Sequence, residues 1–424
     1  MSDAAAIKTD PAVKMKLFVM MIIEIFIWGA WQPKINPYMD MLGFSGLEKG
    51  LVNSAFGIAA LLGIFFSNQF ADRNFSAERF LAFSHVVGGL GLLGAWHFKE
   101  FWPFFACFLA YAILFVPTIS VTNSLAFANL RSPAQEFGFV RMGGTIGWII
   151  ASWPFVFLLQ KKTGPDLQNA TSWIFLVGAI ASFVMAAYSL TLPHTPPRKD
   201  AAGMDALAWR RALSLLAVPA VLVLYIVTFI DSFIHNGYFV MTDGFLTNRV
   251  GISPSVSMVV MSIGQVAEIV TMLVLGLVLT RLGWKTTMLI GILGHALRFA
   301  AYAYLPDNKE LIIAVQVLHG ICYAFFFATV YIFVDAVFPK DVRASAQGLF
   351  NLMILGIGMV GAGFFFPWLQ SMLTTKVDGV DVVDYQTLFL WPTGMAIVAM
   401  LLLGLCFHPP KGEAALDGAA APPH

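Results

Sequence analysis

The sequence predicts an all-α polytopic membrane protein. Twelve transmembrane helices are expected, as two six-helix bundles with pseudo-two-fold symmetry and both termini cytoplasmic. Three observations lead there. Hydrophobic residues make up 58% of the 424-residue chain and charged residues only 12%, whereas soluble domains carry about 25% charge. The apolar residues fall in runs long enough to cross a hydrocarbon core of about 20 helical residues. The only long polar break, "PHTPPRKDAAGMDALAWRRA", has six such runs on each side.

Charges, Pro and Gly bound the runs. Helices 1 to 6 are placed at about 16–39, 48–71, 79–98, 101–129, 138–160 and 171–192. Helices 7 to 12 follow at about 212–241, 254–280, 285–305, 310–337, 343–374 and 386–407. The domain plan is a cytoplasmic N-terminal tail (1–15), a first bundle (16–193), a cytoplasmic linker (194–211), a second bundle (212–408) and a disordered tail (409–424). An even number of spans puts both termini on one side. Loops on that side, with Arg131, Arg198, Lys199, Arg210 and Arg211 among their cations, hold about twice the Lys and Arg of the opposite loops, which is the cytoplasmic signature. The N-terminal polar stretch leads into a long apolar segment without a cleavage site, so this segment reads as a retained first helix and not a signal peptide.

Several function classes drop out. A formal charge of +1 offers no basic stripe for nucleic acid. Cys107, Cys322 and Cys406 all sit in apolar runs, with neither disulfide nor metal spacing. No nucleophile triad, metal cluster or phosphate loop stands out, so no catalytic residue, cofactor or metal is expected. The run "GGLGLLG" in helix 3 lacks a strand-to-helix setting and reads as helix-packing glycine.

The informative residues are polar ones inside the apolar helices. Arg141, Thr145 and Trp148 fall at i, i+4 and i+7 of helix 5 and share a face. Gly143 and Gly147 beside them have the spacing that permits close approach by a neighbour. An arginine there pairs, reaches a wet cavity or snorkels to the nearby membrane edge. The aromatic and the hydroxyl on its stripe favour the cavity. Helix 8 places Gln265 and Glu268 at i, i+3, a carboxylate expensive to bury alone. Glu268 and Arg141 are expected to face one solute in a midplane cavity. The plainer reading is a charge pair that locks the halves together, and Arg298 in "HALRFAAY" is a rival partner for Glu268. Helix 7 adds Asn236, Tyr238 and Phe239 around a glycine, with Asp231 and His235 one turn apart. Helix 10 adds His319 and Tyr323, also one turn apart, the histidine being a ligand contact or a packing residue. Helix 1 carries Glu24, Trp28, Trp31 and Gln32 along one side, and His85 in helix 3 is a relay candidate. Amides, a carboxylate, a guanidinium and aromatic faces suit a small neutral solute with a flat ring and hydroxyls. A nucleoside fits; a sugar fits less well.

The loops echo each other between halves. "FADRNFSAERFLAF" carries Asp72 and Arg73 after Gly63, and "LTRLGWKTTMLIG" carries Arg281 after Gly276. With the six-plus-six count, this matches the plan of the major facilitator superfamily, in which these residues serve as structural cytoplasmic loops. "WGAW", "ADRNFSAERFLA", "VRMGGTIGWI", "QVAE", "LRFAAYAY" and "LHGICYAFFF…VRASAQG" together resemble its bacterial nucleoside:proton symporter family. The resemblance implies a monomer in the bacterial inner membrane that imports nucleosides with protons. It places solute contacts on Arg141, Thr145, Trp148, Asn236, Gln265, Glu268, His319 and Tyr323. Glu268, Glu24 and Asp231 are the proton-coupling candidates. The family pattern has Phe, Gln, Tyr and Phe where Trp148, Asn236, His319 and Tyr323 stand, so ring platforms and an amide are kept in kind. It also has an aspartate where this chain has Ala324. A sugar or polyol carrier, or a nucleoside facilitator without proton coupling, is the alternative.

Overall fold

A computed structural model of the chain describes residues 9–66, 75–131, 133–196, 213–338 and 343–409. They divide into two compact units. One holds the described residues of Met1–Phe44, Ile58–Lys199 and Pro254–Ser262; the other holds those of Ser45–Gly57, Asp200–Ser253 and Ile263–His424. Apart from one hairpin, the elements are helical, and eight helices among the described residues are long and apolar enough to cross a membrane. Large apolar side chains such as Phe157, Leu273 and Leu405 face outward, which suits a lipid solvent.

Helices begin where the sequence supplies a cap. Helix α1 (Pro11–Trp31) starts behind Asp10, whose carboxylate accepts from Ala12 N at 2.8 Å, with Pro11 in the first turn. It breaks at Gln32–Lys34 and resumes as α2 (Ile35–Met41), so the single helix predicted over 16–39 is two pieces. Ser45 and Glu48 form a reciprocal capping box at the start of α3 (Gly46–Phe66). The rest of the first unit's helices are α4 (Ala77–His97), α5 (Phe101–Asn129), α6 (Pro133–Ala151), the short α7 (Trp153–Leu158) and α8 (Gly164–Ser189). Here α1 packs against α6 and α8, and α4 against α5 and α8. The "GGLGLLG" glycines lie in these seams: a Cβ on Gly91 would stand 2.7 Å from the Cys107 carbonyl oxygen, and one on Gly89 2.9 Å from Phe183. Lipid is as apolar as leucine, so this close packing, not burial from water, holds the helices together.

In the second unit, α9 (Pro219–Asn248) packs against the helices at Gly358–Met372 and Tyr385–Cys406. Predicted helices 8 and 9 are two helices, together α10 (Ser257–Tyr304), that meet in a kink at Gly283, where φ is 71° and ψ 175°. Only glycine adopts that backbone without strain. Asn308 caps the next helix, α11, by accepting from Leu311 N at 3.0 Å. Helix α11 runs as Lys309–Ala314, Val317–Cys322, a π turn at Tyr323–Ala328, and Thr329–Val337. Helix α12 runs as Arg343–Asn351, a π turn at Leu352–Ile357, and Gly358–Met372. The stretch between predicted helices 11 and 12 is a hairpin, β1 (Thr374–Val377) paired antiparallel with β2 (Val380–Val383). Its turn residues, Asp378 and Gly379, both take positive φ, as a two-residue hairpin requires. Asp384 then caps α13 (Tyr385–Cys406), bonding Thr387 N and Oγ1. At the loop between α10 and α11, Arg249 donates to Asp307 at 2.7 Å and holds its carboxyl below the usual range.

Candidate functional site

In the first unit, the α6 stripe is as the spacing predicts, and its glycines explain its position. A Cβ on Gly143 would stand 2.6 Å from the carbonyl oxygen of Phe18, and one on Gly147 would overlap that of Ile22. Helix α1 therefore lies directly on the backbone of α6. Trp28 of α1 meets Trp148 of α6 edge to face, with centroids 5.7 Å apart. Arg141, Thr145 and Trp148 are all half-buried. The guanidinium folds along its own helix, so that a Cβ on Gly144 would meet Arg141 Nη1 at 2.5 Å and Ile25 Cγ1 at 3.0 Å.

The other residues read on helix 1 have separate tasks. Trp31 Nε1 donates to the Tyr111 hydroxyl at 3.0 Å. Glu24 turns to α4 and α5: its Oε2 is 2.9 Å from His85 Nε2, and its Oε1 is 2.6 Å from Thr118 Oγ1. His85 Nδ1 reaches Ser182 Oγ on α8 at 3.3 Å. All four side chains are buried.

In the second unit, α9, α10 and α11 build a histidine-rich wall. His235 and His319 stack with centroids 4.8 Å apart, and Tyr238 lies 4.5 Å from His319 on its other flank. Tyr323 completes the wall 6.0 Å from His235. Gly264 lets α10 approach this wall, since a Cβ there would sit 2.8 Å from His319 Cβ. Gly320 does the same one turn on, where a Cβ would overlap the Glu268 backbone nitrogen. Gln265 and Glu268 thus stand on the part of α10 that faces His319 and Gly320. Gln265 Oε1, His319 Nδ1 and His235 Nδ1 are buried and make no hydrogen bond among the described residues. Buried polar atoms left open are costly, and a bound solute is one way to satisfy them. Asn236 spends its amide nitrogen on Ser232 O at 2.9 Å and Ile354 O at 3.4 Å, so the amide oxygen is the group it can offer a donor.

Behind the wall lies a cluster that spacing along the chain signals only in part. Arg298 is fully buried, its guanidinium 4.3 Å from the Tyr238 centroid and 4.9 Å from that of Phe299. It donates to His295 Nδ1 at 3.0 Å, which leaves the ring proton on Nε2, the nitrogen 3.6 Å from Asp231 Oδ2. Asp231 lies in the electrostatic reach of Arg298. Gln316 joins Tyr238 and Tyr302 by bonds of 3.0 and 2.7 Å. The i, i+3 spacing of His295 and Arg298 was the available clue. Lys34 was also missed: it is buried and donates to Ser257 Oγ at 2.6 Å. Asp72 and Arg73 lie outside the described residues, while Arg281 is exposed next to the bend at Gly283. A cavity of about 570 Å³ along α9 and α13, lined by Phe229, Phe233, Leu390, Met395 and Val398 with Thr387 at its edge, is too apolar to recognise a polar solute.

The site's composition gains its meaning from comparison with known proteins. Residues 12–412 match the family model described as "Nucleoside H+ symporter". The chain belongs to the nucleoside H+ symporter family. Relatives of this symporter in Escherichia coli (strain K12) span nearly the whole chain. YegT is 32% identical over 91% of both chains. The xanthosine permease is 30% identical over 94% of this chain and 98% of its own. The nucleoside permease NupG is 27% identical over 91% of this chain and 94% of its own. Among solved structures, an Asp-to-Ala mutant of the nucleoside transporter NupG aligns with a TM-score of 0.82 and 26% identity, over 93% of this chain and 100% of that one. A D-xylose–proton symporter at 13% identity and a TM-score of 0.71, over 95% of this chain and 99% of that one, shares the fold alone. The symporter is therefore an all-helical multi-pass membrane transporter of the major facilitator type, and not an enzyme.

Proposed function

We propose that the protein imports nucleosides across the bacterial inner membrane by proton symport, as a monomer working by alternating access. Twelve spans, two pseudo-symmetric six-helix bundles and cytoplasmic termini complete the proposal, with domain limits at 16–193 and 212–408. Family membership supports the nucleoside and the proton, and the relatives named for xanthosine and nucleosides mark the substrate class. Membership sets aside the sugar or polyol carrier.

One structural observation carries the assignment of the site. Gln265 Oε1 and His319 Nδ1, beside one another on α10 and α11, are buried without hydrogen bonds in a wall of aromatic rings. A nucleoside supplies what such a wall lacks: a flat base for His319 and Tyr323, and hydroxyl and ring N–H donors for Gln265, Glu268 and the Asn236 oxygen. On the first unit, the proposed solute contacts are Arg141, Thr145 and Trp148. Asp72, Arg73 and Arg281 are assigned to structural loops and not to recognition.

The test is equilibrium binding and thermal shift of the purified protein with nucleosides, bases and sugars. Nucleosides should bind and free sugars should not. Arg141→Ala and Gln265→Leu should each weaken nucleoside binding about 10–100-fold, the worth of a lost hydrogen bond in a closed site. Binding unchanged by both substitutions would remove the site assignment.

A further inference from the structure

Four helices of the first unit meet at one carboxyl group. Glu24 on α1 is surrounded by His85 on α4, Thr118 on α5 and Ser182 on α8, with Glu24, Thr118 and Ser182 at 0% exposure and His85 at 1%. Among the described residues no lysine or arginine pairs with Glu24, and its polar neighbours are neutral hydroxyls and one imidazole. An ionisable group with so little fixed countercharge, buried in a membrane bundle, is costly to keep unless it has a task.

The hydrogen bonds define that task. Thr118 Oγ1 lies 2.6 Å from Glu24 Oε1 and 2.5 Å from the carbonyl oxygen of Phe115. A hydroxyl has one proton and cannot donate to both. When Thr118 donates to Oε1 and His85 Nε2–H to Oε2, Glu24 carries no proton and is ionised. When Thr118 donates to Phe115, its oxygen can only accept, and the donor is a protonated Glu24. On the other side, the Nε2–H tautomer of His85 would donate to Glu24 Oε2 in both settings, 2.9 Å away, and leave Nδ1 to accept from Ser182 at 3.3 Å. The site therefore gains or loses one proton by rotation of one hydroxyl, with every heavy atom in place and every group bonded.

We propose that Glu24, bonded to His85 and Thr118, is the group that holds the coupling proton. This rests on the proposed proton symport and chooses among its three carboxylates. A proton enters from water onto Glu24 Oε1, the Thr118 hydroxyl turns to Phe115, and release to water reverses both movements. Asp231 is less suited, because neither of its oxygens makes a hydrogen bond among the described residues, so it has no hydroxyl partner that could turn as Thr118 does. The other groups that bear on Glu24 come from each helix packed on α1. The Tyr111 phenol of α5 is within its electrostatic reach. On α6 the cation is Arg141, whose guanidinium lies along Gly144 against Ile25. Helix α8 presents Ser182.

The full-length protein in proteoliposomes tests this with three readouts: accumulation of labelled nucleoside driven by an acidic exterior, nucleoside exchange without a gradient, and infrared titration of buried carboxyl groups in the absence of nucleoside. Glu24→Gln should reduce gradient-driven accumulation at least about tenfold while exchange continues. The same substitution should delete a carboxyl infrared band that titrates in the unaltered protein. Thr118→Val removes a donor to the ionised form, so the pH midpoint of both accumulation and the infrared band should move to higher pH. It also provides the test if Glu24→Gln does not fold. Accumulation by Glu24→Gln equal to that of the unaltered protein, a carboxyl spectrum indifferent to its loss, or an unmoved midpoint in Thr118→Val would each overturn the proposal. Absence of nucleoside exchange in the unaltered protein would instead contradict the symport reading, and the infrared titration would still decide whether Glu24 binds the proton.

Discussion

Replacing Arg298 with methionine is expected to destabilise the second unit by about 1–3 kcal/mol, the cost of leaving a buried hydrogen-bonding partner unsatisfied. The substitution removes the guanidinium between Tyr238 and Phe299, the hydrogen bond to His295, and the positive field at Asp231. Asp231 would then stand fully buried beside a histidine that has lost its tautomer-fixing partner. Chemical unfolding in detergent reads the loss. The double variant Arg298→Met with Asp231→Asn should recover a large part of it, because the orphaned carboxylate is gone. A single variant as stable as the parent would mean that the guanidinium contributes nothing to the cluster, since a lost partner in a buried site costs about 1 kcal/mol or more. Nucleoside binding should fall as well. Tyr238 is held between Arg298 and His319, so a shift in its ring moves the wall of the proposed site.

The second large effect is expected at Gly147. Its Cα faces the carbonyl oxygen of Ile22, a backbone atom that no rotamer change can move aside. Gly147→Val should cost about 3 kcal/mol, the upper end of overpacking penalties, because α1 and α6 must separate along their length. Gly138 on the same helix has nothing within 4 Å of a built Cβ, so Gly138→Ala serves as the matched control. It should change stability by about 1 kcal/mol or less, in the stabilising direction. Equal effects at the two positions, measured by thermal unfolding, would contradict the close contact of α1 with α6.

Much of the helical framework was legible because a hydrocarbon solvent leaves a strong signal: long apolar runs and punctuating caps. What the runs could not convey is continuity. The break at Gln32–Lys34 and the tight kink at Gly283, with almost no loop around it, depend on single-residue backbone geometry, and hydropathy averages over it. The hairpin after α12 was readable in principle, since Asp378-Gly379 sits between β-branched residues. The site divides in the same way. Spacing along one helix placed Arg141, Thr145 and Trp148 on a stripe and explained its glycines. Spacing along one helix cannot say which helices meet. The bond of Glu24 to His85, 61 residues apart, and that of Tyr238 to Gln316, 78 apart, follow from packing alone. The π turn at Tyr323–Ala328 also escapes periodicity. It changes the register of α11 from Tyr323 onward, at a residue the i, i+4 reading treats as ordinary helix.

The claim on which the account depends is that nucleoside movement is tied to proton movement, and one measurement addresses it directly. Purified protein is reconstituted in liposomes with an alkaline interior, the exterior is made acidic, and internal labelled nucleoside is followed with and without a protonophore. The account predicts accumulation above the external concentration, lost when the protonophore collapses the gradient. Uptake that stops at equal concentrations and ignores the protonophore would contradict it.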